Sequence, residues 1–204
     1  MRSWALSLFL FFGLWGEETF FEPLFQKQLV GIEHLNLSRK PRLIFYSGTP
    51  GMGKSTLSKA IKENFQAIIL DSDEARIYFR ENGYPREKLD DYLVWAIDRI
   101  LATYPNGLIV LDNTVDSCFD PFKAYIKKGS IPYTLIRLSV PREIVERRLI
   151  LRENHPEAYL KALDEWWQNY LVFESKETFG LYFDNSEENK SLDPFLDELE
   201  RLIR

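Results

Sequence analysis

The sequence contains little cysteine and little histidine, which excludes two common kinds of structural site. Its 204 residues include one cysteine, Cys118, and two histidines, His34 and His155. A lone cysteine cannot form an internal disulfide, and these three residues lack the close spacing of a zinc site. We expect all three to serve packing or the surface of one domain, whose 45% hydrophobic content suffices for a packed core.

Positive charge is also in short supply. The chain has 26 Lys and Arg against 31 Asp and Glu, and its formal net charge is −5. Binding along nucleic-acid backbones needs a dense basic surface, so a general nucleic-acid-binding role is disfavoured. A local basic groove that takes a nucleic-acid end is the alternative that this charge leaves open.

Long hydrophobic runs are missing as well. The apolar stretch at residues 4–15 follows an arginine but is too short to span a bilayer. Its charged start and apolar centre resemble a secretory signal, but Leu14 and Gly16 fit poorly where a cleavage site needs two small residues. The alternative is a helix that packs on the domain or makes a peripheral membrane contact. We treat residues 1–40 as a hydrophobic, helical N-terminal appendage and 41–204 as the main domain.

Short apolar runs alternate with helical patterns throughout the main domain. The patterns predict strands over 42–47, 67–70, 107–112, 132–140 and 181–184, and helices over 54–65, 87–104, 119–128, 141–152, 156–175 and 192–204. Wholly apolar strands of this length are typical of a parallel sheet that is covered on both faces. We therefore predict an α/β fold of three layers, with a five-stranded parallel sheet between helices.

A glycine-rich segment follows the first predicted strand and opens the first predicted helix of this domain. The segment "IFYSGTPGMGKST" matches the phosphate-binding pattern G-x-x-x-x-G-K-S/T in full. Glycines let backbone N–H groups curl around phosphates, and the helix adds its own unpaired N–H groups. Lys54 is expected to reach the β and γ phosphates of ATP, and Ser55 to hold Mg²⁺. The predicted nucleotide-binding residues of this loop are Gly48, Thr49, Pro50, Gly51, Met52, Gly53, Lys54, Ser55 and Thr56.

Carboxylates follow two other predicted strands, at the sheet edge where parallel sheets bind ligands. "LIVLDNT" places Asp112 where a P-loop protein needs a second Mg²⁺ ligand, although an Asp that simply starts a turn is the alternative. "IILDSDEAR" places Asp71, Asp73 and Arg76 just past a strand. A carboxylate there could orient and deprotonate an attacking hydroxyl. The alternative is that Asp73 caps a helix and Arg76 is a solvated neighbour.

Arginines crowd the helix predicted after the fourth strand. This segment, "VPREIVERRLILRE", contains Arg142, Arg147, Arg148 and Arg152. Arg148 and Arg152 are four residues apart and project together. Guanidinium groups clamp phosphates, and a closing arginine lid would exclude water from ATP. A solvated surface helix with interleaved glutamates is the alternative.

With these motifs, the chain resembles the P-loop kinases of the polynucleotide kinase, adenylylsulfate kinase and zeta-toxin group. The resemblance covers residues 42–204 and rests on the glycine loop, "LDSDEAR", "LIVLDNT", the arginine helix, and "LYFDNSEE" before the last helix. It implies a P-loop fold with an arginine lid, and an adenine pocket near residues 184–186. The segment after "LDSDEAR" departs from the pattern of adenylylsulfate kinases.

The resemblance also implies roles for individual residues. By similarity, Asp73 is the base for the acceptor hydroxyl and Arg76 binds acceptor or phosphate. Asp112 falls where these families keep an essential carboxylate and is the expected Mg²⁺ ligand beside Ser55. The lid arginine that contacts the transferred phosphate corresponds to Arg148, with Arg152 as the second nucleotide-binding arginine.

The expected function is phosphate transfer from ATP, with Mg²⁺, to a hydroxyl of a small molecule, nucleotide or nucleic-acid end. One alternative is a zeta-toxin-like kinase of nucleotide sugars, and another is an ATP-binding or ATPase switch without transfer. Because ATP and Mg²⁺ are plentiful in the cytoplasm, we expect the protein there; export is the less favoured reading. The sequence does not identify the acceptor.

Overall fold

The fold is built on one parallel sheet, seen in a computed structural model that describes residues 19–29, 42–187 and 191–204. Five strands occupy this part of the chain, in the spatial order β2-β3-β1-β4-β5, and every neighbouring pair is parallel. They are β1 (Arg42–Ser47), β2 (Ile68–Asp71), β3 (Leu108–Thr114), β4 (Tyr133–Ser139) and β5 (Leu181–Asp184). The predicted five-stranded parallel α/β fold is confirmed.

Within the described residues, one helix precedes the first strand, and one or two helices follow each strand. They are α1 (19–28), α2 (Lys54–Phe65), α3 (Ser72–Glu81), α4 (Leu89–Thr103), α5 (Phe119–Gly129), α6 (Arg142–Arg152), α7 (Pro156–Lys176) and α8 (Asp193–Ile203). A short 3₁₀ turn at Arg86–Lys88 leads into α4. The helices predicted from residue 54 onward are present, while α1 and α3 were not delimited by the sequence patterns. None of the helices in the described ranges is long and apolar enough to cross a membrane.

Successive residues of β1 to β4 point towards different faces of the sheet, and this produces the three layers, while the edge strand β5 buries Leu181 and Phe183 on one face only. In β1, Leu43 and Phe45 pack with α1, α3, α4 and α5 on one face. Ile44 and Tyr46 pack with α2, α6, α7 and α8 on the other face. Both faces of the sheet are apolar because both are covered, which explains why the strands read as continuous hydrophobic runs.

Helix α1 belongs to the core of the first face. Phe21, Leu24 and Phe25 are at most 3% exposed and lie in the same cluster as α3 and α4. The predicted contact of residues 4–15 with a membrane lies outside the described residues. The division into an appendage at 1–40 and a domain at 41–204 stays a prediction, to which the structure adds that 19–28 packs into the domain.

Candidate active site

The phosphate loop joins β1 to α2 and takes its shape from its glycines. Gly51 and Gly53 have φ angles of +88° and +97°, a region that side chains disfavour. A Cβ atom on Gly53 would lie 2.3 Å from the amide nitrogen of Asn185. That amide donates a hydrogen bond of 3.0 Å to the carbonyl of Met52. The loop is therefore held from outside by the segment after β5, close to where the sequence predicts an adenine pocket.

Lys54 lies over the loop that precedes it. Its Nζ donates hydrogen bonds of 2.9 Å to the carbonyl oxygens of Gly48 and Thr49. Loss of solvent lowers its pKa to about 8, while the carboxylates of Asp116, Asp112 and Asp73 act in the opposite direction. Lys54 is thus a cation enclosed by the loop and surrounded by carboxylates, as expected of a group that reaches phosphates.

Asp116 is a site residue that sequence reasoning missed. Its Oδ2 accepts hydrogen bonds from the Gly48 backbone N–H at 3.0 Å and from the Thr114 hydroxyl at 2.8 Å. Burial raises the pKa of Asp116 despite these hydrogen bonds. Asp116 therefore anchors the first glycine of the loop to the chain that leaves β3. The sequence did contain a signal for Asp116, because it follows closely after the predicted strand that contains Asp112.

The predicted metal ligands lie together. The Ser55 hydroxyl donates to the Asp112 carboxylate, and this contact partly offsets the burial that raises the pKa of Asp112 to about 6. Nearby Asp71 and Asp73 raise this pKa further, and Lys54 lowers it. No cluster of three or more His, Cys, Asp or Glu side chains able to hold a metal occurs in the part of the chain that the structure describes. Mg²⁺ needs none there, since it is commonly bound by one or two protein oxygens, waters and phosphates.

Strand β2 ends directly opposite Asp112, which brings a second acidic segment to the site. Asp71 pairs with Asp112 in the sheet register. The Asp71 carboxylate caps α3 by accepting from the backbone N–H groups of Asp73 and Glu74, at 2.8 and 3.0 Å. The alternative in which Asp73 caps the helix is therefore wrong, because Asp71 fills that role.

The Asp73 carboxylate, which does not cap the helix, instead contacts Arg76. Its side chain is 81% exposed and forms an ion pair with Arg76 in the next turn of the helix. The same guanidinium donates a hydrogen bond of 3.0 Å to the Asn113 side chain, next to Asp112. Asp73 is also near enough to Lys54 to affect its pKa. The structure thus brings Asp73, Arg76 and Asp112 to one edge of the sheet.

The arginines of α6 separate into different places. Arg148 donates to the carbonyl oxygens of Gly51 and Asn185, at 3.4 and 2.8 Å, so it ties the phosphate loop to the segment after β5. Arg142 forms ion pairs with Glu146 and with Asp164 of α7. Arg142 therefore links two helices, while Arg148 borders the nucleotide side of the loop.

Arg152 lies close enough to Lys54 for its charge to act on the lysine. Its side chain is 60% exposed and pairs with Glu153. Its charge lowers the pKa of Lys54 and acts on Tyr159, which Asp73 also affects. Arg152 is therefore close to both the lysine and the carboxylate that would meet a transferred phosphate.

Comparisons with known proteins show which proteins this chain is similar to. A protein-family model described as Zeta toxin matches residues 29–92, which include the phosphate loop and Asp73. A protein of Methanocaldococcus jannaschii with the curated name "Putative adenylate kinase" is 24% identical over 166 residues, covering 79% of this chain and 85% of that protein.

Solved structures of kinases are also similar to this chain. The chain superimposes on the APS kinase of Mycobacterium tuberculosis, solved with AMPPNP and APS, with a TM-score of 0.54 and 15% identity, over 80% of this chain and 98% of that one. It has the P-loop kinase fold. A gluconokinase from Sinorhizobium meliloti 1021 shows the same fold, with a TM-score of 0.50 and 17% identity, over 81% and 94% of the two chains. The predicted resemblance to P-loop kinases is confirmed. At these identities the likeness establishes the fold and not the activity.

Proposed function

We propose that the protein is a kinase that transfers the γ-phosphate of ATP to a hydroxyl group of a small molecule. The observation that carries this proposal is the position of Asp73. Asp71 takes over the capping of α3, which leaves the Asp73 carboxylate exposed beside Arg76 and near Lys54. A simple nucleotide switch has no use for an acidic side chain at this place, whereas transfer to an alcohol needs one to orient the attacking hydroxyl.

The reaction follows from these positions. The acceptor hydroxyl oxygen attacks the γ-phosphorus, its bond to phosphorus forms as the bond to the bridging oxygen breaks, and ADP leaves. Asp73 receives the proton from the hydroxyl, and Arg76 holds the Asp73 carboxylate in place. Lys54 and the loop N–H groups stabilise the charge on the phosphates, and the predicted lid arginines Arg148 and Arg152 neutralise charge on the transferred group and the nucleotide. Arg148 positions the loop through Gly51.

Two residues, one at the start of α2 and one in β3, suit a magnesium ion. Ser55 and Asp112 offer the hard oxygen ligands that Mg²⁺ prefers. Ser55 and Asp112 would hold the ion, and a bound ion would offset negative charge on the phosphate groups. The role of this chain is to present Ser55 and Asp112 side by side at the start of α2.

The test is a phosphate-transfer screen with labelled ATP and Mg²⁺. The acceptors would include sugars, sugar acids, nucleosides, nucleotide sugars, adenylylsulfate and 5′-hydroxyl oligonucleotides, and Asp73→Asn would serve as the matched variant. We expect label on one acceptor class, and loss of that label in Asp73→Asn with ATP binding unchanged. Label released only as free phosphate, equally from both proteins, would refute transfer and leave an ATPase switch.

A second candidate is a zeta-toxin-type kinase of nucleotide sugars, which the family match to residues 29–92 favours. This candidate predicts label on a nucleotide sugar in the same screen and arrest of growth when the protein is expressed alone. Growth without arrest, together with label on another acceptor, would rule it out. We place either reaction in the cytoplasm, because that compartment supplies ATP and Mg²⁺.

A further inference from the structure

A cavity of about 410 Å³ lies beside the candidate active site. Three segments form its walls: α3, the 3₁₀ turn with the start of α4, and the chain that follows β3. Its lining residues are Arg76, Arg86, Glu87, Leu89, Asp90, Asn113, Ser117 and Cys118. The size is at the lower end of the range for small-molecule sites, enough for one molecule of monosaccharide size.

Arg76 connects this cavity to the residues of phosphate transfer. Its guanidinium lines the cavity, pairs with Asp73 and donates to Asn113. A molecule in the cavity is therefore one side chain away from the carboxylate that would take its proton. The charges of Arg76 and Asp90 both act on the Cys118 thiol, so these groups lie close together.

Two charged groups of the lining have no partner of their own. Among the described residues, neither Asp90 nor Arg86 has a hydrogen bond or ion pair from its side chain. Asp90 is nevertheless half-buried at the start of α4, and this burial raises its pKa. The Arg76 charge lowers this pKa only in part, so the Asp90 carboxylate would gain from a ligand that donates hydrogen bonds to it. Hydroxyl groups are such donors, and an acidic group would be the matching partner for the Arg86 guanidinium.

The lining also lacks the surfaces that hold nucleobases. Among the residues that the structure describes, the lining contains no aromatic ring, and Leu89 is its one aliphatic side chain. Bases are commonly held by stacking on aromatic side chains. The cysteine offers no reactive group either, because burial raises the pKa of Cys118 to about 12 and keeps the thiol protonated.

We propose that this cavity binds the phosphate acceptor, and that the acceptor is a small hydroxyl-rich molecule with an acidic group. Asp90 accepts from its hydroxyl groups, Arg86 binds its acidic group, and one hydroxyl reaches Asp73 past Arg76. The acidic group is a carboxylate, as in a sugar acid, or a phosphate, as in a sugar phosphate. This inference rests on the proposed kinase activity for the role of the molecule, and on the cavity alone for its chemistry.

The test measures binding by titration calorimetry on the full chain, in the presence of AMPPNP and Mg²⁺. The probes are gluconate, glucose 6-phosphate, glucose and adenosine. We expect the two acidic sugars to bind more tightly than glucose, and adenosine to bind weakest. The tighter of the two acidic probes identifies the acidic group.

Three variants assign the binding to the cavity. Arg86→Gln should weaken the acidic probes by about tenfold or more and leave glucose unchanged, since only the charge-assisted contact is lost. Asp90→Asn should weaken all three sugars. Arg80→Gln is the matched control, because Arg80 is exposed on α3 outside the cavity, and it should change nothing.

The results separate this inference from the proposed function. Tighter binding of adenosine, or acidic-sugar binding that Arg86→Gln does not weaken, would overturn the cavity assignment. Label transferred to a nucleoside by Arg86→Gln at the normal rate would also overturn it, while the kinase activity would stand. Acidic sugars that bind as expected, together with label released only as free phosphate in the transfer screen, would instead refute the kinase activity and leave the binding site in place.

Discussion

Replacing Phe21 by Ala tests whether α1 is part of the folded domain. The Phe21 side chain is 3% exposed and is surrounded by aromatic rings of α3 and α4. Its ring centroid lies 5.3 Å from that of Tyr92, 5.5 Å from Trp95 and 6.0 Å from Phe79. The substitution therefore removes a buried ring with edge and stacked contacts on several sides.

The expected cost is large compared with the stability of a domain. Truncation of a buried Phe to Ala typically lowers the free energy of unfolding by about 3–5 kcal/mol, because transfer energy is lost and a cavity remains. The free energy of unfolding of a whole domain is about 5–15 kcal/mol. Phe21→Ala should therefore remove a substantial part of the total, although the sequence alone assigns this segment to an appendage.

Urea unfolding followed by tryptophan fluorescence measures this cost directly, with Trp95 as a probe next to the substituted ring. Leu151→Ala is the control, because Leu151 is 81% exposed and should change the stability by less than about 0.5 kcal/mol. A loss below about 1 kcal/mol for Phe21→Ala would show that α1 is not held against α3 and α4, and would refute the reasoning.

Three further predictions concern the site. Lys54→Ala should lower phosphate turnover by about 100-fold or more, because a cation on the phosphates is lost; near-normal turnover in the transfer assay would contradict the P-loop assignment. The pKa of Asp112 is raised to about 6, so its carboxylate is neutral below that pH and ionised above it. Mg²⁺ affinity should therefore rise with pH through 6 and fall about tenfold per pH unit below it. Without Mg²⁺, the contribution of Asp112 to folding stability should decline over the same rise in pH. A titration of Mg²⁺ binding at pH 5 and 7.5 that shows no difference would exclude Asp112 as a ligand. Gln28→Leu should lower the free energy of unfolding by about 1–3 kcal/mol, because its amide accepts from Tyr92 and donates to the carbonyl of Asp71, at 2.7 and 2.8 Å; unchanged thermal stability would contradict this bridge.

Much of the fold could be predicted because its signals are local. The apolar runs and helical spacings predicted each strand and most helices to within a few residues, since burial on both faces of a parallel sheet leaves a continuous hydrophobic run. The glycine loop could also be predicted, because the glycines that adopt positive φ angles and the lysine that follows them lie next to one another in the sequence.

Other features depend on contacts that no local pattern contains. From the sequence, Asp73 alone was a candidate helix cap, whereas the structure ends β2 at Asp71, opposite Asp112, and gives Asp71 the capping role. The place of helix α1 could not be predicted, because its apolar residues are buried only through contact with α3 and α4. Similarly, the anchoring of Gly48 by Asp116 joins residues 68 positions apart.

The sequence by itself determined the class of this protein, and the tertiary structure decided how its parts are used. A P-loop, alternating strands and strand-end carboxylates are short-range features, so composition and spacing were enough to predict them. The arginines have different surroundings because α3, α4 and α6 pack around the sheet. Arg148 donates to Gly51, and Arg86 lines the cavity. Side chains that are distant in sequence acquire a common role only when the sheet brings its strand ends to one edge.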